Sequence, residues 1–546
     1  MRVPRVSRPT AIWTAVVVAV AAIAVTLITL AWGGDDGNGR PKPGSSPHRT
    51  RTTAPPSTSP APSATPSPTS HPVPPPRTIP AVRTADTRSG PGWRYGGGSR
   101  VVADPEGPLA DEARLLAGEL RLSTAEGPAR RGDVELAVES GRGGGPEAYT
   151  LTVHDGRVRI TGADDAGVFY GTRTVLQAVR ATGGLPDGEI QDRPDRPQRG
   201  LHLDIARKYF TPEWIEARLR EMADLKLNQL ALHFSDDQGF RIQSDTHPEI
   251  VSDRHLTKDQ VRRIVRLAAR LHITVIPELD SPGHLGAVLR AHPDLRLRRA
   301  SGTPVPGSVD IANPGSAHIV DDLLREFTPL FPGPYWHLGG DEYLALTARD
   351  PEASYPGLAA AARRDFGGRA GVQDLATDWL NDRAKLVRGL GKTPKAWNDG
   401  FFRGGVVAPD RAFQIEYWTG REIGARPPAQ YLAEGWKVVN LNDEYLYYVL
   451  GEPNQFRYPT GERIYEQWSP AVLRGTRPVP GGLPTGPDRV LGGRLAIWCD
   501  RADAQTQDQV AAGIRLPLRA LAQRLWDPRT PALSWQDFTV LAGRVD

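Results

Sequence analysis

Between residues 200 and 525 the chain keeps returning to one pattern, a short apolar run suited to a buried strand, with helical stretches between the runs. Strands buried on both faces read as continuous rather than alternating apolar segments. Eight such runs are found, at 200–206, 229–236, 273–280, 335–342, 393–400, 412–418, 437–443 and 494–500. Helical periodicity falls between them at 212–227, 258–271, 317–330 and 373–390, and follows the last at 503–525. Strands separated by crossover helices must run parallel, and eight of them close naturally into a TIM-type (β/α)₈ barrel. The expected fold class is α/β, with the barrel over 198–546.

Ahead of the barrel, residues 87–197 alternate strand-like and helix-like runs. VELAV at 134–138 is one strand, and the runs at 149–156 and 157–162, joined through Asp155-Gly156, form a hairpin. The run at 167–180 is an amphipathic helix, so this part is a smaller α+β companion domain. From 33 to 86 the composition shifts to Pro, Ser and Thr, which cannot bury enough apolar surface to fold and makes an extended tether. At the start, Arg2, Arg5 and Arg8 precede an uncharged apolar run from Ala11 to Trp32, long enough to cross a bilayer. Residues 1–32 are therefore expected to be an export signal or membrane anchor, placing the folded part outside the cell, secreted or tethered.

Composition excludes several functions. The net charge of +4 comes from 67 Lys and Arg against 63 Asp and Glu, and the basic residues are scattered, so no nucleic-acid partner is expected. Cys499 is the single cysteine, which rules out an internal disulfide and any zinc site built from paired CxxC motifs.

The polar residues gather where the strands end. Nearly every run is apolar through its body and finishes in Asp, Glu, Asn, Trp or a nearby His, on the rim where barrels of this type carry their sites. Any one such Asp or Asn is also what a helix cap would require; a whole rim of them is not. The sharpest motif is His337-Leu338-Gly339-Gly340-Asp341-Glu342-Tyr343. Adjacent carboxylates at a strand end point to different sides of the backbone and can reach two atoms of one substrate. Their mutual repulsion tends to raise one pKa, and a protonated carboxyl is what a glycosidic leaving oxygen needs.

This run resembles the H-x-G-G-D-E hallmark of family 20 glycoside hydrolases, the β-N-acetylhexosaminidases. The resemblance implies an enzyme acting on N-acetylhexosamine-containing glycans, with Glu342 as general acid and then base and Asp341 orienting the 2-acetamido group. The acetamido oxygen would attack the anomeric carbon, giving an oxazolinium intermediate and retention, with no metal or cofactor. Other segments agree with the family. Arg199 to Arg207 resembles its opening RGxxLDxxR, implying that Arg207 holds ring hydroxyls; His233 to Gln238 supplies Asp236; and Pro277 to His284 supplies Asp280 and His284 as a supporting pair. Trp397, Trp418 and Trp498 would wall the sugar, Tyr445 would hydrogen-bond the acetamido oxygen, and Asp500 would contact outer hydroxyls. Trp397-Asn398-Asp399-Gly400, and Tyr447 where many relatives carry a carboxylate, look closer to the dispersin and lacto-N-biosidase branches.

Competing readings leave traces that can be checked. A metal-dependent hydrolase on the same barrel would need clustered ligands, and the sequence has no HxH or HExxH pair. A chitinase-type site would use alternating rather than consecutive carboxylates. A carbohydrate-binding pseudoenzyme would not need Asp341 and Glu342 together.

Overall fold

A computed structural model describes residues 70–546, apart from 140, 142, 143, 422 and 423. The apolar run at 11–32 and residues 33–69 of the Pro/Ser/Thr tract lie outside the described residues. Among the described residues no helix is long and apolar enough to cross a membrane.

The companion domain is a seven-stranded sheet covered by the helix Asp165–Thr182. The foreseen hairpin is present: Tyr149–His154 pairs antiparallel with Arg157–Gly162. Its two connecting residues, Asp155 (φ 52°) and Gly156 (φ 69°), both take the left-handed conformation that such tight turns demand. Ordered packing begins earlier than the 33–86 tether allows. The strand Thr84–Arg94 pairs with Gly184–Asp192, and Ile79 is fully buried with its backbone N–H and carbonyl both bonded to the Gln177 amide at 2.7 and 2.8 Å. Composition missed this because prolines at a sheet edge forfeit few ladder bonds.

All eight barrel strands form: β1 (Gln198–Asp204), β2 (Gln229–His233), β3 (Thr274–Glu278), β4 (Tyr335–His337), β5 (Thr393–Trp397), β6 (Gln414–Tyr417), β7 (Lys437–Asn440) and β8 (Val490–Trp498). Each is parallel to the next, and β8 pairs with both β7 and β1 to close the barrel. Closure passes through Gly492 (φ 148°), where a Cβ would overlap the Gln198 carbonyl oxygen and where the β7–β8 register shifts. The helices start where the sequence signals a cap. Thr211 caps α1 (Pro212–Asp224). Thr257 with Gln260 makes a capping box on α2 (Lys258–Arg270). A short α3 (Gly286–Ala291) follows β3, and α4 (Pro314–Phe327) and α5 (Val372–Gly389) precede β4 and β5. Thr506 with Gln509 caps α6 (Gln507–Trp526). A terminal helix, Trp535–Val545, had no counterpart among the expected elements.

Barrel and companion domain share a charged seam. Arg199 of β1 bonds Glu147 at 2.8 Å and stacks over Tyr170 and Trp526, while the Trp526 indole N–H donates to Asp192 at 2.9 Å. The barrel interior departs from the expected apolar strand bodies. His202, His233, Glu278, His337, Lys395, Glu416 and Arg494 are all fully or almost fully buried there, paired with one another as buried charges must be.

Candidate active site

The strand ends deliver a pocket of about 140 Å³ on the C-terminal rim. Seven of the residues singled out by sequence line it: Arg207, His284, Asp341, Glu342, Trp418, Trp498 and Asp500. Tyr447, Val449, Asn454 and Phe456 complete the wall.

The turn after β4 sets the two carboxylates. Gly339, Gly340 and Glu342 have φ of 70°, 100° and 48°, and a Cβ at Gly339 would overlap the Asp280 carboxylate. Gly339 is thus required by space and Gly340 by its backbone angle, and a left-handed glutamate marks strain kept at a site. Asp399 braces the turn: it accepts the Glu342 backbone N–H at 3.1 Å and the Trp418 indole N–H at 2.8 Å. The sequence signal for this brace was only the polar Asn398-Asp399 pair after β5.

Four expected site residues stand elsewhere. Asp236 and Asp280 are buried beneath the pocket, where they shape its charge without lining it. Trp397 is fully buried and donates its indole N–H to Glu278 at 2.7 Å, so it supports the floor rather than walling the sugar. Tyr445 is turned away: it sits on the helical turn Asp443–Leu446 with the Arg463 guanidinium over its ring. The chain then becomes extended, and the strand Tyr447–Val449 joins β8, so period-two alternation sends Tyr447 and Val449 into the pocket. Tyr447 is therefore the tyrosine that lines this pocket, stacked on Trp418 at 5.5 Å with rings 2° from parallel. The signal available in sequence was this alternation, not the Tyr-Leu-Tyr spacing.

His284 is the electrostatic centre. Its Nδ1 lies 3.4 Å from Asp236, and its Nε2 lies 3.6 Å from Asp341 and 3.4 Å from Glu342. Its partners within 4 Å are thus Asp236 and the two rim carboxylates, with the expected Asp280 in the same cluster. Burial opposes a charge on His284, but Asp236, Asp341 and Asp280 outweigh it and hold the imidazolium well above its ordinary range. Hydrogen bonding to His284 in turn lowers Glu342. Burial and the neighbouring Asp280 raise Asp341 well above the usual carboxylate range, and burial lifts Asp280 to about 6. Crowding does keep a proton in the site, then, but the unliganded site keeps it on the Asp280–Asp341 pair and leaves Glu342 ionised.

The chain of charge continues inward. Asp236, which burial would raise, is held well below its usual range by His284 and Arg207. It is bonded by Arg207 at 2.8 Å and His233 at 2.8 Å; His233 faces Glu278 at 3.3 Å. Three groups here bring potential metal ligands close together, His202–His233–Glu278, Asp236–Asp237–His284 and Asp280–His284–Asp341. In each the imidazole nearest a second carboxylate, His233 or His284, is held as imidazolium despite its burial, and an imidazolium has no lone pair for an ion. His284→Asn removes the cation that lowers Glu342. In a kcat/KM profile against pH, the falling limb that reports loss of the Glu342 proton is expected to move to higher pH; an unmoved limb would show that His284 does not set it.

A barrel whose rim presents adjacent acid groups in an aromatic-walled, sugar-sized hollow is the architecture of a glycoside hydrolase. Residues 197–529 match the model of the glycosyl hydrolase family 20 catalytic domain, and residues 75–193 match that family's domain 2. The chain belongs to glycosyl hydrolase family 20. A lacto-N-biosidase of Bifidobacterium bifidum is 30% identical over 455 residues, covering 82% of this chain and 39% of that protein. A beta-hexosaminidase of Porphyromonas gingivalis is 28% identical over 475 residues, covering 80% and 58%. The chain thus spans well under two thirds of either relative. A Streptomyces plicatus beta-hexosaminidase solved with GlcNAc shares the fold, with TM-score 0.68 at 24% identity over 87% of this chain and 95% of that one.

Proposed function

We propose that the protein is an exported β-N-acetylhexosaminidase that removes terminal β-linked GlcNAc or GalNAc with retention, the substrate's acetamido oxygen acting as nucleophile. One observation carries this reading: the Asp341 carboxylate lines the pocket directly beside Glu342, hydrogen-bonded from beneath by Asp280. An acetamido N–H entering the pocket would find there an acceptor next to the acid.

The chemistry then follows from the charges. Accepting the amide N–H favours ionised Asp341, while a bound sugar displaces water from Glu342 and raises its affinity for a proton. Binding shifts the site from a proton on the Asp280–Asp341 pair toward a proton on Glu342. The acetamido oxygen attacks C1 as the C1–O glycosidic bond breaks, and Glu342 gives its proton to the departing oxygen. Asp341 holds the developing oxazolinium through its N–H, and Glu342 then takes a proton from the water that attacks C1. Export and tethering rest on the apolar run at 11–32 and the proline-rich tract after it; cell fractionation should place the activity in the membrane or the medium.

A second reading, release of a disaccharide in the manner of a lacto-N-biosidase, is favoured by Tyr447. That ring lines the pocket, and with Phe456 stacked against it at 6.1 Å it extends the aromatic wall. Product analysis decides between them. Release of p-nitrophenol from the N-acetylglucosaminide, and of single sugars from chitobiose or a β-1,6-linked glucosamine polymer, supports the first reading. Lacto-N-biose from lacto-N-tetraose supports the second, and no turnover of any of these substrates defeats both.

A further inference from the structure

On the flank of the barrel, among none of the residues that line the pocket, three side chains converge. His247 precedes and Glu249 lies within a short helical turn, Pro248–Ile250, in the loop after β2, and His292 follows α3. His247 Nδ1 and His292 Nε2 approach the same oxygen, Glu249 Oε1, at 3.1 and 2.9 Å. The three potential ligand atoms lie within 4.8 Å of one another. Around a tetrahedral zinc ion with bonds of about 2.0–2.1 Å, ligand atoms stand about 3.3 Å apart. Two edges of such a site are therefore already within a few tenths of an ångström of their place.

The far side of His247 points the same way. Its Nε2 is buried without a hydrogen-bond partner, and the nearest carboxylate is Asp322 of α4 at 3.7 Å. A neutral His247 that hydrogen-bonds Glu249 through Nδ1–H turns a bare lone pair at Nε2 toward Asp322. With an ion on Nδ1 the proton moves to Nε2 and points at that carboxylate, the usual support for a metal-bound imidazole. His318 and Arg325 lie beside Asp322 at 3.4 and 3.5 Å, so its charge is already anchored.

We propose that His247, Glu249 and His292 form a surface site for a divalent transition-metal ion of the zinc class, with at least one position left to water. The ion would be structural, because the two loops it joins are those that frame the acid. The β2 loop begins at Asp236, and α3 lies directly after His284. They are already stitched by the Gly286 N–H donating to Asp237 at 2.9 Å and by Arg290 donating to the Asp237 carbonyl at 2.6 Å. A metal clamp would add a third tie, independent of whichever sugar the pocket accepts.

The test uses the full chain, free of any affinity tag and stripped with chelator, titrated with ZnCl₂ by calorimetry and followed by thermal melting. Wild type is expected to bind one ion in the micromolar range or tighter and to melt higher with it. Glu249→Gln and His292→Asn are expected to weaken that binding at least about tenfold and to abolish the rise in melting temperature, while the metal-free variants melt as the metal-free parent does. Absence of saturable binding below about 100 μM overturns the site. Binding that persists unchanged in both variants also overturns it, since the ion then sits elsewhere. Doubly protonated imidazoles on Glu249 would show as the first of these negative results.

Discussion

Glu342→Gln is expected to lower kcat on oligosaccharides by about 10²–10⁴-fold, the usual worth of a positioned general acid. The loss on a p-nitrophenyl glycoside should be markedly smaller, because nitrophenolate departs without a proton. Asp341→Asn should behave differently. In the proposed mechanism its carboxylate orients the attacking acetamido group, a need that does not depend on the leaving group, so turnover of both substrates should fall together. The two profiles separate the roles that adjacency in sequence left unassigned. Equal losses on both substrates in Glu342→Gln, or wild-type rates in either variant, would remove the assignment. Melting curves of the variants should stay close to wild type, since Glu342 is half exposed at its side chain and its backbone N–H, the group Asp399 holds, survives the substitution.

How much of this was legible before any coordinates can be seen residue by residue. The barrel was readable because most strand positions are apolar, despite inward charges such as Lys395 and Glu416, and because the helices between open on capping residues such as Thr211, Thr257 and Thr506, all local signals. Asp341 and Glu342 were readable because both are fixed by one short turn. Tyr445 was misplaced because two tyrosines stand two residues apart, and only the change from the helical turn to an extended strand at Tyr447 decides which enters the pocket. Trp397 was misplaced for a related reason: a strand-end indole can face the rim or the floor, and Glu278, 119 residues away, supplies the partner that draws it down. The direction of the proton was also beyond sequence. It depends on His284 reaching Glu342 while Asp280 lies against Asp341, contacts between separate loops that no spacing encodes.

The largest expected effect on stability comes from the polar heart of the barrel. Glu416 is fully buried and binds both Lys395, at 3.2 Å, and Arg494, while Arg494 also bonds Gln229 at 2.7 Å. Glu416→Gln leaves two buried cations without their anion, and removing one partner of a buried pair costs about 3–5 kcal/mol. Thermal melting at neutral pH should fall by several degrees; an unchanged transition would mean that water reaches these charges. Burial, helped by Arg494, lowers Lys395 to about 7 from 10.5 although Glu416 opposes the shift. Between those values the unfolded chain holds a proton that the folded chain has released. Stability contributed by this group therefore rises with pH through that window, by up to about 1.4 kcal/mol per pH unit. Lys395→Met keeps the stem of the side chain and removes the titration, so its stability should vary less with pH above neutrality than that of the parent. In Glu416→Gln the lysine loses its counter-charge, its pKa falls further, and the rise should begin at lower pH. Unfolding by urea across the neutral to alkaline range reads both effects, and parallel slopes in all three proteins would show that Lys395 stays protonated in the fold.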